Sequence, residues 1–346
     1  MLACILDVEG ERLTSDERAF FRAADPWAFI LFKRSCKNPD QMRALTAEIR
    51  AAVGRDALIF IDQEGGRVAR LGPPHWRSLP PIAHYGRVHP KAPEDARRMA
   101  WLHHRIIAHM LRDVGVTADC APCLDLAVDG ASSVIGDRAF SPDPEIIADL
   151  GRAAMEGLHG GGVASVIKHM PGHGRAESDS HLELPLVDAG KQALALDLAP
   201  FIALNDAPMA MTAHILFEAW DDALPATQSP AIIQQIIRGQ CGFDGLLMSD
   251  DASMKALSGS LQDRARLALA AGCDVAMLCN ATLEDRLLFA AACPDLSGKA
   301  LMRAHAAQGV AMMPKAAFSI QETWREFDDL LRTYPPPMPT PQLKMA

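Results

Sequence analysis

Leu58-Ile59-Phe60-Ile61-Asp62-Gln63-Glu64-Gly65-Gly66-Arg67 sets four consecutive apolar residues directly against two acids, an amide, two glycines and an arginine. An apolar run this short, closed off by polar residues and glycine, reads as a strand buried on both faces. The charged residues that abut it need solvent, partners or a ligand, because an unpaired buried charge is costly. Seven further apolar runs share this form, at residues 2–6, 29–32, 116–121, 163–167, 209–213, 246–248 and 275–278. Amphipathic segments at 39–53, 93–114, 144–159 and 261–271 lie between them, the first opened by Asn38 as a cap with Pro39 at the first helical position. Eight strand-then-helix units predict an α/β fold of the closed (β/α)₈ TIM-barrel type rather than an open sheet.

No linker, internal repeat or charge block interrupts this alternation. The chain is therefore expected to be a single domain, with the barrel at residues 1–333 and a proline-rich tail at 334–346. Apolar residues make up 49% of the sequence and charged residues 22%, which excludes a disordered chain. A net charge of −9 with no basic cluster gives no footprint for nucleic acid or an anionic membrane. The eight cysteines show no dense framework, and Asp7 comes too early for a signal peptide. A cytoplasmic monomer, free of membrane spans, is expected.

In such a barrel the chemistry collects at the carboxyl ends of the strands. After the third run comes the Asp62 segment already quoted. Lys168-His169 follows the fifth, His214 the sixth, and Ser249-Asp250-Asp251 the seventh. Acids and bases at four of eight strand ends favour a site over incidental structure. The densest stretch is Lys168-His169-Met170-Pro171-Gly172-His173-Gly174-Arg175-Ala176-Glu177-Ser178-Asp179-Ser180-His181. Its Asp179 and His181 are two apart, so an extended backbone points both side chains the same way. A carboxylate beside an imidazole can fix its tautomer and stabilise the imidazolium, as general acid/base catalysis requires.

The histidine spacings on this glycine-rich loop match no zinc pattern, so no metal is expected. Cys120-Ala121-Pro122-Cys123 lies in an apolar run rather than at a helix start, which reads as buried small side chains. Gly157-Leu158-His159-Gly160-Gly161-Gly162 precedes a strand instead of opening a helix, which argues against a dinucleotide site. No cofactor is expected.

These motifs, with Val134-Ile135-Gly136-Asp137-Arg138-Ala139-Phe140, resemble the bacterial β-N-acetylhexosaminidases of glycoside hydrolase family 3, in their compact single-domain form. The resemblance implies that Asp250 is the catalytic nucleophile, His181 an unusual general acid/base and Asp179 the residue that orients it. It also implies that Asp62, Arg70, Arg138, Lys168 and His169 hold the terminal N-acetylglucosamine. The reaction it implies is retaining, exo-acting removal of N-acetylglucosamine from a small glycan substrate, in recycling of cell-wall muropeptides that carry 1,6-anhydro-N-acetylmuramic acid. A phosphorylase acting through the same residues is the alternative, followed by a metal-dependent barrel hydrolase.

Overall fold

Successive residues of a strand face opposite ways, and here both faces are buried. In β1 (Leu2–Asp7), Ala3 and Ile5 point into one apolar cluster, while Cys4 and Leu6 point into a second. The first cluster fills the inside of a closed barrel, and the second lies between the barrel and its helices. The structure, a computed structural model, describes residues 1–180, 182–313 and 317–337. The other barrel strands are β2 (Pro26–Leu31), β3 (Leu58–Ile61), β4 (Ala118–Asp119), β5 (Ala164–Met170), β6 (Met209–Thr212), β7 (Leu246–Asp251) and β8 (Val275–Leu278). They pair in parallel in chain order, and β8 closes onto β1 with Ile5 opposite Met277.

The barrel is packed rather than open. Trp27 and Phe60 meet across its interior with ring centroids 5.9 Å apart, and Val166, Met209, Met248 and Met277 fill the rest. Its amino-terminal end is closed by a helix, α9 (Gly298–Met312), whose Ala304, Ala307 and Ala311 join the interior cluster. Chemistry is thereby confined to the other mouth.

The surrounding helices are α1 (Ser15–Ala24), α2 (Pro39–Val53), α3 (Ala83–Val88), α4 (Pro93–Asp113), α5 (Pro144–Gly160), α6 (Lys191–Ala203), α7 (Leu261–Ala271) and α8 (Leu283–Ala292). Helix α2 has the ends its sequence announces: Asn38 accepts the Gln41 N–H, and Gly54 stops the helix with φ +67°. Between β6 and β7 the segment Ile232–Gln240 winds with the wider π spacing.

A last helix, α10 (Ile320–Thr333), packs Phe327 against α4. Ion pairs Arg77–Asp328 and Arg98–Glu326 tie it down. Tyr334, the first residue of the expected tail, is docked rather than frayed: its hydroxyl donates to Asp95 (2.7 Å) and its carbonyl accepts from His84 Nε2 (2.9 Å). The expected tail beyond residue 337 lies outside the described residues. All eight cysteines are free and buried, and no helix among the described residues is long and apolar enough to cross a membrane.

Four strands, β2, β4, β5 and β7, depart from their sequence reading by more than one residue. Strand β4 itself is two residues long, although Thr117 and Cys120 still donate to the Ile59 and Ile61 carbonyls (3.0 and 2.8 Å) and the Ala121 carbonyl accepts the Val166 N–H (3.0 Å), and Pro122 has no N–H to carry the pairing on. Strand β5 runs on through Lys168, His169 and Met170, and β7 through Asp250 and Asp251. The charged residues expected on loops after these strands therefore sit on the strands themselves.

Candidate active site

A cleft of about 270 Å³ opens at the carboxyl ends of the strands. It is lined by Asp62, Arg70, Arg138, Lys168, His169, Asp179 and Asp250, seven of the eight residues singled out in the sequence. The eighth, His181, lies outside the described residues. Phe32, Met211, Met254 and Met277 supply apolar wall.

One side of the cleft is a chain of alternating charges. Asp62 accepts from Lys168 Nζ (3.0 Å) through one oxygen and from Arg70 (2.9 Å) through the other. Lys168 also reaches Glu64 (2.6 Å), which Arg138 grips with two parallel hydrogen bonds of 2.9 and 2.8 Å. Glu64 belongs to the opening motif, yet sequence reasoning gave it no role. It is the buried carboxylate that lets two cations stand side by side, since Lys168 and Glu64 are each about 98% buried and an unpaired charge there would be prohibitive. Its backbone is held from behind, because His103 Nε2 donates to the Glu64 carbonyl (3.0 Å) and Tyr85 donates to His103 Nδ1 (2.6 Å). The next residue, Gly65, has φ +94°, and a Cβ there would lie 2.6 Å from the His103 ring.

Burial alone would raise the Asp62 and Glu64 carboxyls, but their cations outweigh it and hold both below the ordinary carboxylate range. For Lys168, burial favours the neutral amine, but Glu64 and Asp62 hold its ammonium above the ordinary lysine value. A carboxyl held low in the folded chain binds fewer protons than in the unfolded chain. Its stabilisation is therefore full above its unfolded pKa and is lost as pH falls through the folded one. Asp251 works in the opposite sense, because burial pushes its carboxyl up to about 6 and the folded chain gains stability as pH falls through that value. Buried His84, His103, His104, His159, His173 and His214 are held below the ordinary imidazole value and take up protons on unfolding, which outweighs Asp251, so the Tm is expected to be highest near neutral pH and to fall on the acid side as these histidines and then the network titrate. A thermal melt series from pH ~3 to ~8 checks this, and a Tm still rising below pH ~4 would contradict it.

A second pair lies under the cleft floor. Asp125, fully buried, accepts His169 Nδ1 at 2.6 Å through Oδ2, while Oδ1 accepts the backbone N–H groups of His173 (2.6 Å) and His169 (3.2 Å). The carboxylate places the ring proton on Nδ1 and leaves Nε2 as the free nitrogen of His169. Burial works against the Asp125 charge, but His169 and His173 outweigh it and hold the carboxyl well below the usual range. Sequence reasoning missed Asp125. Asp125 stands four residues beyond the fourth apolar run, set off from it by Pro122, Cys123 and Leu124, so it does not abut a strand as Asp62 does. Burial lowers His173 itself to about 4, so its ring is neutral, with Nε2 3.3 Å from Ser180 Oγ.

The two neighbouring aspartates of β7 differ sharply. Asp251 is fully engaged: Oδ1 accepts the backbone N–H groups of Ser253 and Cys279 (both 2.9 Å), and Oδ2 accepts the Ser253 hydroxyl (2.7 Å). Asp250 lines the cleft, its Oδ1 accepting the Asp251 N–H (2.8 Å). Its backbone is clamped by Ser249, whose hydroxyl donates to the Asp250 carbonyl (2.7 Å) and accepts the Met277 N–H (2.9 Å). Burial alone would raise the Asp250 carboxyl, but the imidazoles of His214 and His169, the Asp251 N–H and Lys168 outweigh it, so the group is anionic at neutral pH. His214 is buried behind it, with Nδ1 2.7 Å from Thr227 Oγ1 and Nε2 donating to the Asp251 carbonyl (3.1 Å). A fixed, ionised carboxylate facing cationic donors across a small cleft is suited to attack on an electrophilic carbon of a hydroxyl-rich ligand.

Residues 12–304 match the family described as glycosyl hydrolase family 3 N terminal domain. The chain is 42% identical over 281 residues to a β-hexosaminidase of Alkalilimnicola ehrlichii, covering 80% of each protein. It is also 42% identical over 292 residues to a β-hexosaminidase of Thiobacillus denitrificans, covering 82% of this chain and 80% of the relative. Among solved structures, NagZ from Neisseria gonorrhoeae in complex with N-trifluoroacetyl-D-glucosamine matches with a TM-score of 0.83 at 31% identity, over 95% of this chain and 97% of that one. The family 3 β-N-acetylglucosaminidase of Paenibacillus sp. str. FPU-7 matches with a TM-score of 0.85 at 28% identity, over 96% and 67%.

Proposed function

Because the chain belongs to glycosyl hydrolase family 3, we propose that its cleft removes a terminal β-linked N-acetylglucosamine from the non-reducing end of a glycan, with retention of configuration. The observation that carries this reading is the contrast on β7: both aspartates line the cleft, but Asp250 is held anionic, while both oxygens of Asp251 are taken by protein donors and burial pushes its carboxyl up to about 6. Asp250 attacks the anomeric carbon as the bond to the departing oxygen breaks, and His181, as imidazolium, gives that oxygen its proton. A water then attacks the glycosyl-enzyme, passing its proton to His181 and releasing Asp250. Asp179 holds the His181 ring in orientation. Asp62, Arg70, Arg138, Lys168 and His169 bind the sugar hydroxyls, and ion pairs of Asp62 with Arg70 and Lys168, of Arg138 with Glu64 and of His169 with Asp125 fix these groups before the substrate arrives.

The leaving group we assign is a cell-wall fragment ending in 1,6-anhydro-N-acetylmuramic acid, handled in the cytoplasm. Support comes from the similarity to NagZ over nearly its whole length and from eight unpaired cysteines. We read the protein as acting as a monomer, with the barrel at 1–333 as its one working domain. Incubation with the anhydro disaccharide, with and without phosphate, tests both reaction and substrate. Free N-acetylglucosamine is expected in either buffer, and a sugar 1-phosphate formed only with phosphate would move the assignment to a phosphorylase.

A further inference from the structure

Where the barrel closes on itself, one side-chain amide at the cleft is held by a single end. Asn280 stands two residues beyond β8 and lines the cleft. Its backbone takes the left-handed conformation (φ +54°), which asparagine tolerates better than most residues that carry a side chain. Its backbone N–H donates to Asp7 Oδ2 (2.6 Å), and its Oδ1 accepts from Arg34 Nη1 (2.7 Å). Among the described residues, no acceptor takes its Nδ2. We propose that Asn280 is a specificity-determining residue whose Nδ2 donates to the carbonyl oxygen of the substrate's acetamido group, and that Arg34 is the positioning residue that turns the amide to do so.

The two ends of an asparagine amide are told apart by what they touch. A guanidinium only donates, so the amide atom that meets Arg34 is the oxygen, and the end left over is the N–H₂. Arg34 is itself fixed. Its Nε donates to the Glu9 carbonyl (3.1 Å), and its Nη2 donates to the Val8 carbonyl (3.2 Å) and pairs with Asp7. Its guanidinium also lies over the Phe32 ring, 5.2 Å from the centroid. Asp7, the last residue of β1, is fully buried and has the Arg286 guanidinium 3.6 Å away. Backbone and side chain of Asn280 are thus both tied to the end of β1, and the donor is oriented before any sugar arrives.

Chemistry identifies the acceptor. A sugar hydroxyl both donates and accepts, and Asp62 beside Arg70 and Lys168 offers both. An acetamido carbonyl only accepts, and the methyl group beside it needs apolar wall. Asn280 presents only donors at its free end, and Met254, Met277 and Cys279 line the cleft with it. Met277 and Cys279 are two apart and share a face, which puts thioether and thiol surface next to the amide. This inference rests on the proposed release of N-acetylglucosamine and adds the residue that reads the acetamido group of that sugar.

Competitive inhibition of aryl N-acetylglucosaminide hydrolysis by N-acetylglucosamine and by N-trifluoroacetylglucosamine tests the contact, because fluorine makes the same carbonyl a poorer acceptor. Asn280→Gly, which suits the left-handed backbone, is expected to raise Ki for N-acetylglucosamine about fivefold to tenfold and to raise Ki for the trifluoroacetyl sugar at least about threefold less. Asn280→Asp keeps the Arg34 contact but puts an acceptor where the donor was, so its Ki for N-acetylglucosamine is expected to rise further, by about 50-fold. Arg34→Met is expected to repeat the selective loss, and Arg34→Lys, which still only donates, to recover at least half of it. The ratio of the two Ki values does not depend on how much of a variant is folded. Equal rises for both sugars, or no rise, in Asn280→Gly overturn the contact. A loss confined to the intact glycoside puts the amide on the leaving group and overturns it too, and a loss as large in Arg34→Lys as in Arg34→Met overturns the role of Arg34. A wild type that releases no N-acetylglucosamine would overturn the proposed function itself and the contact with it.

Discussion

Asp250→Asn is expected to lower kcat/KM for an N-acetylglucosaminide by on the order of 10⁴-fold or more, with little change in Tm. The amide keeps the shape and can still accept the Asp251 N–H, but it cannot form the glycosyl-enzyme. The neighbouring change separates chemistry from architecture. Asp251→Asn puts an amide N–H₂ where two backbone N–H groups and a hydroxyl now converge on carboxylate oxygens, so it is expected to cost stability first and activity only through that loss. Azide added to Asp250→Ala sharpens the test, because an external anion entering from the vacated face gives the α-glycosyl azide. Comparable inactivation by both asparagine variants, with folding intact, would contradict the assignment.

The second large effect is on the fold. Lys168→Met keeps the unbranched stem of the side chain and removes the ammonium that sits between Asp62 and Glu64. Arg70 and Arg138 still satisfy part of each carboxylate, yet two buried acids are left adjacent with their shared cation gone. Breaking one partner out of a buried ionic network costs about 3–5 kcal/mol. For a chain of this size that is a fall in Tm of roughly 4–7 °C. Saturable sugar binding should be lost with it. The double variant Lys168→Met/Glu64→Gln is expected to recover part of the stability, because neutralising one acid removes the repulsion the first change exposed. Denaturant melts of the four-member cycle measure this, and a loss below about 1 kcal/mol for Lys168→Met would show that the network is a surface-like ornament rather than a buried support.

The sequence carried the barrel because its punctuation is local. Strands β3 and β8 and helices α2 and α7 coincide with their expected bounds, and each is marked at its ends by residues with one structural meaning, such as Asn38, Gly54, Ser260 and Gly272. Hydropathy failed where a polar residue is buried by virtue of a distant partner. Lys168 reads as a loop residue because it is charged, but it lies on β5 since Asp62 and Glu64 meet it from the β3 side, more than a hundred residues away. Asp125 and Glu64 went unassigned for the same reason, since their roles lie in what they neutralise and not in any local pattern. Strand β2 begins three residues earlier than expected, where Pro26 takes the first strand position and Trp27 turns into the barrel.

The site residues were legible as types at strand ends, and their division of labour came only from the family resemblance, not from any local pattern. Nothing in Ser249-Asp250-Asp251 says which acid is free, and that follows only from the backbone donors of Ser253 and Cys279 closing on Asp251.

The central claim is that Asp250 forms the covalent bond to the sugar. Trapping the enzyme with a mechanism-based fluorosugar of N-acetylglucosamine, digesting it and sequencing the labelled peptide by mass spectrometry tests this most directly. The glycosyl mass is predicted on Asp250 within Leu246–Asp251. A label on Asp251 or any other residue, or no label on an enzyme that turns over the substrate, would contradict it.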